Sequence, residues 1–200
     1  MLNLFPPDAE QNLLPKDGIV YYFGRVYDVV ESSQIFDKLW TEIDWRNDEA
    51  FIYGKRIVTK RKVAWYGDEP FEYTYSKTTK TALLWTEELL QIKQKTEEVS
   101  GETYNSCLLN LYHDGSEGMG WHVDNESEMK PEGAIASWSF GAERKFAFKH
   151  KESKETVEVW LENGSLLLMK GATQKHWLHR LPPTKKVKTP RINLTFRTIV

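Results

Sequence analysis

The sequence predicts an α+β protein that is mainly β: a jelly roll, or a closely related β-sandwich, with two helices packed against it. Two observations carry this. Two amphipathic helical segments lie in the first half of the chain, and after Gly101 the character changes to short apolar or alternating segments. Helices followed by a run of short strands describe a layered fold with the helices covering a sheet. The chain has 200 residues, enough for one domain with its own core.

The elements follow in order. Residues 1–18, with Pro6, Pro7 and Pro15, read as a loosely ordered lead-in, and one domain is expected over 19–200. In SSQIFDKLWTEI, Ile35, Phe36, Leu39, Trp40 and Ile43 recur at helical spacing, with Ser32 or Ser33 as N-cap. Residues 51–77, with alternation in FEYTYS, suggest hairpins. In TEELLQIKQKTEEVSG, Thr86 can cap, while Glu87 and Glu88 suit the positive helix end. Leu89, Ile92 and Val99 mark one face, and Gly101 suits a left-handed stop. The strands expected beyond it are CLLNLY, AIASWSF, RKFAFKH, ETVEVWL, GSLLLM and RINLTFRTIV, separated by turn clusters such as DGSEGMG, ENG and LPPTKK.

Composition excludes several classes. No apolar run approaches the length of a membrane-spanning helix, and the N-terminus lacks the pattern of a secretory signal. A single cysteine, Cys107, excludes an internal disulfide and suits a reducing, cytoplasmic setting. Net charge is −2, but it is unevenly spread. Residues 1–50 hold four basic and ten acidic side chains; residues 151–200 hold ten basic and four acidic. Lys55–Lys62, KRIVTKRK, carries five basic residues and no acidic one. Such a cluster can meet phosphates on an otherwise neutral protein, although an ordinary solvated hairpin would look the same.

Two constellations carry chemistry. WHVDNE places His122 and Asp124 two apart, so on a strand both point to one face. A third ligand lies downstream in QKHWLHRLP, where His176 and His179 are three apart and would face opposite ways. His179, just before the turn-forming Leu-Pro-Pro, is the better placed. Two histidines and one carboxylate leave three positions of an octahedron open, the facial triad of Fe(II) oxygenases; a zinc hydrolase could use the same set. His113 and His150 read as surface or loop residues. In RINLTFR, alternation puts Arg191, Asn193, Thr195 and Arg197 on one face and Ile192, Leu194 and Phe196 on the other. Two arginines on an inward face are costly unless they meet anions, and guanidinium matches carboxylate geometry. A dicarboxylate would satisfy both. In NLY, Asn110 and Tyr112 share a face and could complete such a pocket.

NLYHDG, WHVDNE, SWSFGAERKF, NGSLLLM, HRLP and PRINLTFR, in this order, resemble the AlkB family of Fe(II)/2-oxoglutarate-dependent dioxygenases. IYGKRIVTKRKVAWYGDEPFEYTYS is similar to the branch that repairs duplex DNA. The resemblance implies a double-stranded β-helix core over 103–200 and a nucleotide-recognition region over 51–77. It implies that His122, Asp124 and His179 hold Fe(II), with 2-oxoglutarate and O2 as co-substrates. Arg191, Tyr112 and Asn193 would take the distal carboxylate of 2-oxoglutarate, and Arg197 with Asn110 its metal-side end. Tyr75 and His122 would sandwich a flipped base, with Tyr73 and Glu126 at its polar edge and Tyr53 as an inserted finger. Thr184, Lys185 and Lys186 would touch the DNA backbone, although relatives tend to be basic at 184 too. The implied activity is oxidative dealkylation of 1-methyladenine, 3-methylcytosine and, as a further class, etheno adducts. The implied partner is alkylated DNA, duplex in preference to single strands, bound by a monomer. An RNA demethylase and a protein or lipid hydroxylase are the alternatives.

Overall fold

The structure, a computed structural model, describes residues 11–52, 55–75 and 78–200; for 49–52, 55–57, 73–75 and 78–80 it describes the backbone alone. The strands are β1 (Ile19–Arg25), β2 (Arg46–Ile52), β3 (Lys55–Gly67), β4 (Glu72–Tyr75), β5 (Thr78–Thr81), β6 (Leu83–Leu84), β7 (Ser106–Tyr112), β8 (Met119–His122), β9 (Ile135–Gly141), β10 (Arg144–His150), β11 (Thr156–Leu161), β12 (Ser165–Lys170), β13 (Trp177–Leu181) and β14 (Arg191–Arg197). The helices are α1 (Val29–Glu42), α2 (Glu87–Ser100) and the single turn α3 (Thr173–His176). The major sheet runs β1-β12-β9-β14-β7-β3-β2, with β6 pairing in parallel to β3. The minor sheet runs β11-β10-β13-β8, and β4 pairs with β5. This is the mainly β, jelly-roll architecture the sequence predicts.

Alternation along the central strands sorts side chains into two cores. Ile192, Leu194 and Phe196 of β14 join Leu109 and Leu111 of β7 and Trp138 and Phe140 of β9 against Ile35, Leu39, Leu89 and Ile92 of the helices. A second cluster lies between the sheets: Phe148, Leu161 and Trp177 meet Val20, Ile135, Leu167 and Met169. The polar residues of β7, β9 and β14 look into the same inter-sheet space, beside this second cluster, and there they build a site.

Local chemistry fixes the helix ends. Thr86 accepts from the Leu89 N–H, and Gly101 stops α2 at φ 68°, as expected. The start of α1 corrects the expectation of a serine cap. Asp28 is the N-cap, accepting from the N–H of Val30 and Glu31, while Glu31 accepts from the Asp28 N–H. Ser32 lies inside the helix and returns its hydroxyl to Asp28 O. A carboxylate accepts two N–H bonds and also suits the helix dipole, so it wins over a serine four residues on. Trp40 is 42% exposed, stacked on Phe36, rather than part of the buried face.

The lead-in differs as well. From residue 11 onward it is docked: Asn12 Oδ1 accepts from the N–H of both Leu14 and Val20, Leu14 is buried, and Lys16 O accepts from Trp177 Nε1 at 3.0 Å. His150 is not a surface residue either. It is buried at the end of β10, its Nδ1 accepting from the N–H of Ser153 at 3.1 Å and its Nε2 meeting Asp17 at 3.2 Å. β1, absent from the strands read in the sequence, pairs with β12 at the sheet edge.

Asp28→Ala removes the cap and its reciprocal partner. It is expected to cost about 1 kcal/mol, read as a fall of roughly 2–4 °C in Tm for a domain of this size. Ser33→Ala, which loses only a solvent-side bond to Val29 O, should change Tm by far less.

Candidate metal centre and co-substrate pocket

β8 and β13 pair so that His122 lies opposite His179. Their rings meet edge-on with centroids 4.2 Å apart. Asp124 lies two residues past His122, in the loop after β8 rather than on a continuing strand, yet its carboxylate returns to the pair. His122 Nε2 is 3.7 Å from Asp124 Oδ1, and His179 Nε2 is 3.9 Å from Asp124 Oδ2. The three ligand atoms all lie within 4.8 Å of one another, a spacing that can hold one ion. His122 Nδ1 lies 2.8 Å from Gly120 O and donates to it, which leaves Nε2 free to ligate. Burial pushes the His179 imidazole down to about 4, against the pull of Asp124, so it is a neutral donor near neutral pH. His176 belongs to α3, where its ring stacks on His150, 6.2 Å between centroids, and it is not one of the three. His113 is half-buried in the loop after β7, paired with Glu117.

The arginines of β14 sit beside this triad with opposite circumstances. Arg197 Nη2 is 3.1 Å from Asp124 Oδ2, and its Nη1 donates to Glu126 Oε1 at 3.2 Å. Burial alone would lower Arg197, but the two carboxylates outweigh it and hold its pKa above the ordinary value. Burial would likewise raise Asp124, and Arg197 with the two histidines keeps it below the usual carboxylate range. Arg191 is 2% exposed and has no carboxylate partner among the described residues. Its Nη2 donates to Ser139 Oγ at 2.8 Å, its guanidinium lies 5.6 Å from the centre of the Tyr112 ring, and burial lowers it to about 10. The Nε atoms of both arginines are buried with no hydrogen-bond partner among the described residues.

Asn110, Tyr112, Asn193 and Thr195 line the same pocket, of about 310 Å³, together with the triad. Asn193 Nδ2 donates to Ser137 Oγ at 2.9 Å and to Trp138 O at 2.7 Å, and its Oδ1 accepts from Thr195. Ser137 and Ser139 were missed by sequence reasoning, although the alternation of IASWSF would place both on the polar face. Also missed was Arg144, 1% exposed, whose Nη2 donates to the carbonyls of Glu117 and Pro182 at 2.9 Å and so staples the loop before β8 to the loop after β13.

The remaining candidates divide. Glu126 lines the pocket, with Oε2 buried and without a partner among the described residues. Lys185 and Lys186 are exposed on the loop after β13, with no ion pair among the described residues. Thr184 lies on the same loop, its N–H donating to Gly115 O at 2.7 Å and its hydroxyl accepting from the Lys186 N–H. Within KRIVTKRK, Arg61 is not a free surface cation: it turns into the pocket, ion-paired with Asp48, with Nη1 beside Met119 Sδ. Tyr53 and the side chains of Tyr73 and Tyr75 lie outside the described residues.

An imidazole, imidazole and carboxylate donor set suits Fe(II) with open positions. Two buried guanidinium groups, each with an Nε that has no partner among the described residues, one of them also without a carboxylate partner among those residues, suit a dicarboxylate. The residues present therefore fit both groups: His122, Asp124 and His179 would hold the metal, and Arg191 one carboxylate of the co-substrate.

A jelly roll presenting such a triad beside buried arginines defines a mononuclear non-haem iron oxygenase that uses a dicarboxylate. Residues 19–197 match the family described as the 2OG-Fe(II) oxygenase superfamily, and the chain belongs to it, within the AlkB family. It is 38% identical over 198 residues to a Mus musculus protein called DNA oxidative demethylase ALKBH2, covering 94% of this chain and 83% of that one. It is 37% identical over 191 residues to the Homo sapiens alpha-ketoglutarate-dependent dioxygenase alkB homolog 3, covering 90% and 66%. The solved structure of OsALKBH1 superposes with a TM-score of 0.61 at 17% identity, covering 92% of this chain and 99% of that one, which supports the fold.

Two outcomes follow from this geometry. His122→Ala, Asp124→Ala and His179→Ala should each lose metal binding and turnover, while His176→Ala keeps both; metal titration of the four variants checks this. Arg191→Ala should raise the 2-oxoglutarate concentration for half-saturation at least about tenfold, the loss of roughly one strong charge-assisted contact, with metal affinity unchanged. Arg197→Ala should raise both requirements, because it also releases Asp124. Unchanged 2-oxoglutarate dependence in both variants would contradict the pocket assignment.

Proposed function

We propose that this enzyme removes alkyl groups from N-alkylated bases in DNA, with 1-methyladenine and 3-methylcytosine as the principal lesions and etheno adducts as a further class. The observation that carries the reading is a fully buried arginine, with no carboxylate partner among the described residues, beside a metal triad in one pocket. The names of the relatives, DNA oxidative demethylase among them, support DNA as the substrate.

With iron and 2-oxoglutarate bound, the site would use O2 to couple oxidative decarboxylation of 2-oxoglutarate, which gives succinate and carbon dioxide and takes one oxygen atom, with hydroxylation of the alkyl carbon by the other. A hydroxymethyl group on a ring nitrogen then leaves as formaldehyde and restores the base. The protein supplies orientation and exclusion of water. Arg191, Ser139 and Tyr112 would orient the co-substrate from one end. Leu108, Phe146, Met169 and Leu181 line the same pocket and give it dry walls. Glu72 and Glu126 also line the pocket. The methylated bases are cationic, and carboxylates favour them electrostatically. Glu126 Oε1 already accepts from Arg197, and Oε2, without a partner among the described residues, is the oxygen left to act on a base.

A base must leave the stack to reach such a site, at a cost of a few kcal/mol. A methyl on the pairing edge already weakens pairing, so a damaged base flips more cheaply. The exposed Lys185 and Lys186 support contact with the phosphate backbone. We place duplex DNA ahead of single strands, with Tyr53 as the inserted aromatic and a monomer as the acting species.

The test is mass spectrometry of matched single- and double-stranded oligonucleotides carrying each lesion, with Fe(II) and 2-oxoglutarate. Lesion-dependent succinate and restored bases are expected, faster on duplex. Tyr53→Ala should lower duplex repair several-fold more than single-strand repair. Repair confined to RNA, or succinate formation stimulated only by a protein or lipid, would overturn the DNA assignment; equal losses in both DNA contexts would overturn the finger.

A further inference from the structure

We propose that Gln174 is a positioning residue for the metal centre, tying the loop that carries Asp124 to the segment that carries His179. This rests on the metal-centre reading above. Asp124 has left the β8 ladder, so its backbone position is not set by the sheet. Its N–H instead donates to Gln174 Oε1 at 3.0 Å, a contact that spans 50 residues of sequence. Only the amide oxygen can accept that proton, which fixes the orientation of the group. The other end, Nε2, then lies 3.6 Å from Met169 Sδ on β12.

Gln174 can act as an anchor because α3 is itself held on several sides. The Thr173 hydroxyl donates to Lys170 O at 2.7 Å and accepts from the Ile19 N–H at 2.9 Å. Lys151 Nζ donates to the carbonyls of Gln174 at 3.0 Å and Lys175 at 2.7 Å. α3 runs directly into β13, whose pairing with β10 sets His179 opposite Phe148. One side chain therefore links two ligand-bearing segments that are far apart in sequence.

The link has a mechanical purpose. The Asp124 carboxylate is drawn by Arg197 at 3.1 Å. A loop held only by that ion pair can follow the arginine and leave the histidines; a loop also pinned at its backbone N–H keeps the carboxylate where both histidines face it. A hydrogen bond of this kind outside the ligand set commonly affects metal affinity about 10–100-fold.

The test uses Co(II), whose visible absorption reports binding, titrated into the metal-free full chain. Gln174→Leu, which keeps the bulk and removes the acceptor, should raise the Co(II) Kd at least about tenfold. Gln174→Glu, which retains an acceptor at the same reach, should stay within about twofold of the original protein. Metal-free thermal melting should be the same in all three. Gln174→Leu binding Co(II) as tightly as the original, or Gln174→Glu failing as badly as Gln174→Leu, overturns the proposal and leaves the metal centre intact. An original protein that does not bind Co(II) overturns the metal centre itself. Amide hydrogen exchange on the unsubstituted, metal-free protein needs no variant to fold: a protected Asp124 N–H is expected, and free exchange there overturns the link.

Discussion

The two faces of β14 set the terms for everything around them. One face, Ile192, Leu194 and Phe196, is fully buried against the helices and holds the larger core together. The other carries Arg191, Asn193, Thr195 and Arg197 into the inter-sheet space, also nearly without water. A register slip of one residue would drive two arginines into the apolar core and the core residues into the pocket. The core thus enforces the burial of charge, and the cost of that burial, several kcal/mol per ion before compensation, dictates what must surround it.

The compensation is unequal, and the inequality is the basis of the site. Arg197 is neutralised from within by Asp124 and Glu126. That contact also keeps the metal carboxylate ionised in a place where burial would favour its neutral form. Arg191 receives a serine hydroxyl and an aromatic face, neither of which carries a full charge. A buried cation left in that state is destabilising for the free protein and favourable for an anionic ligand. His179 contributes the complementary half: burial keeps it neutral, with Nε2 turned towards Asp124, as a metal ligand must be.

Period and punctuation are what the sequence makes legible. The alternation of RINLTFR and NLY placed the polar pocket and the apolar core on the correct faces, and Thr86 and Gly101 marked the ends of α2. The misreadings share one cause. Ser32 was a plausible cap, but Asp28 with Glu31 offers two reciprocal bonds. The spacing of His122 and Asp124 suits a strand, whereas β8 ends at His122 and a loop returns the carboxylate. The prolines of the lead-in suggested looseness, yet Asn12 and Lys16 find partners on β1 and β13. His150 looked like a loop residue until Asp17 and a turn of backbone enclosed it. Each was decided by a partner that propensity does not reveal.

By itself the sequence determined the period-two burial of the strands, the helix faces and the residue types of the triad and of the arginine pair. These follow from local geometry, since neighbours two or four apart share a face whatever the rest of the chain does. Only the tertiary structure decided that the Asp124 carboxylate comes back from a loop to His122 and His179, that Arg197 is spent on Asp124 and Glu126 while Arg191 has no counter-ion among the described residues, that Arg61 turns inward to Asp48, and that Gln174 reaches the Asp124 backbone. Most of these contacts join residues roughly 50 or more positions apart. Such pairings depend on which strands the sheets bring side by side, and no periodicity along the chain encodes that.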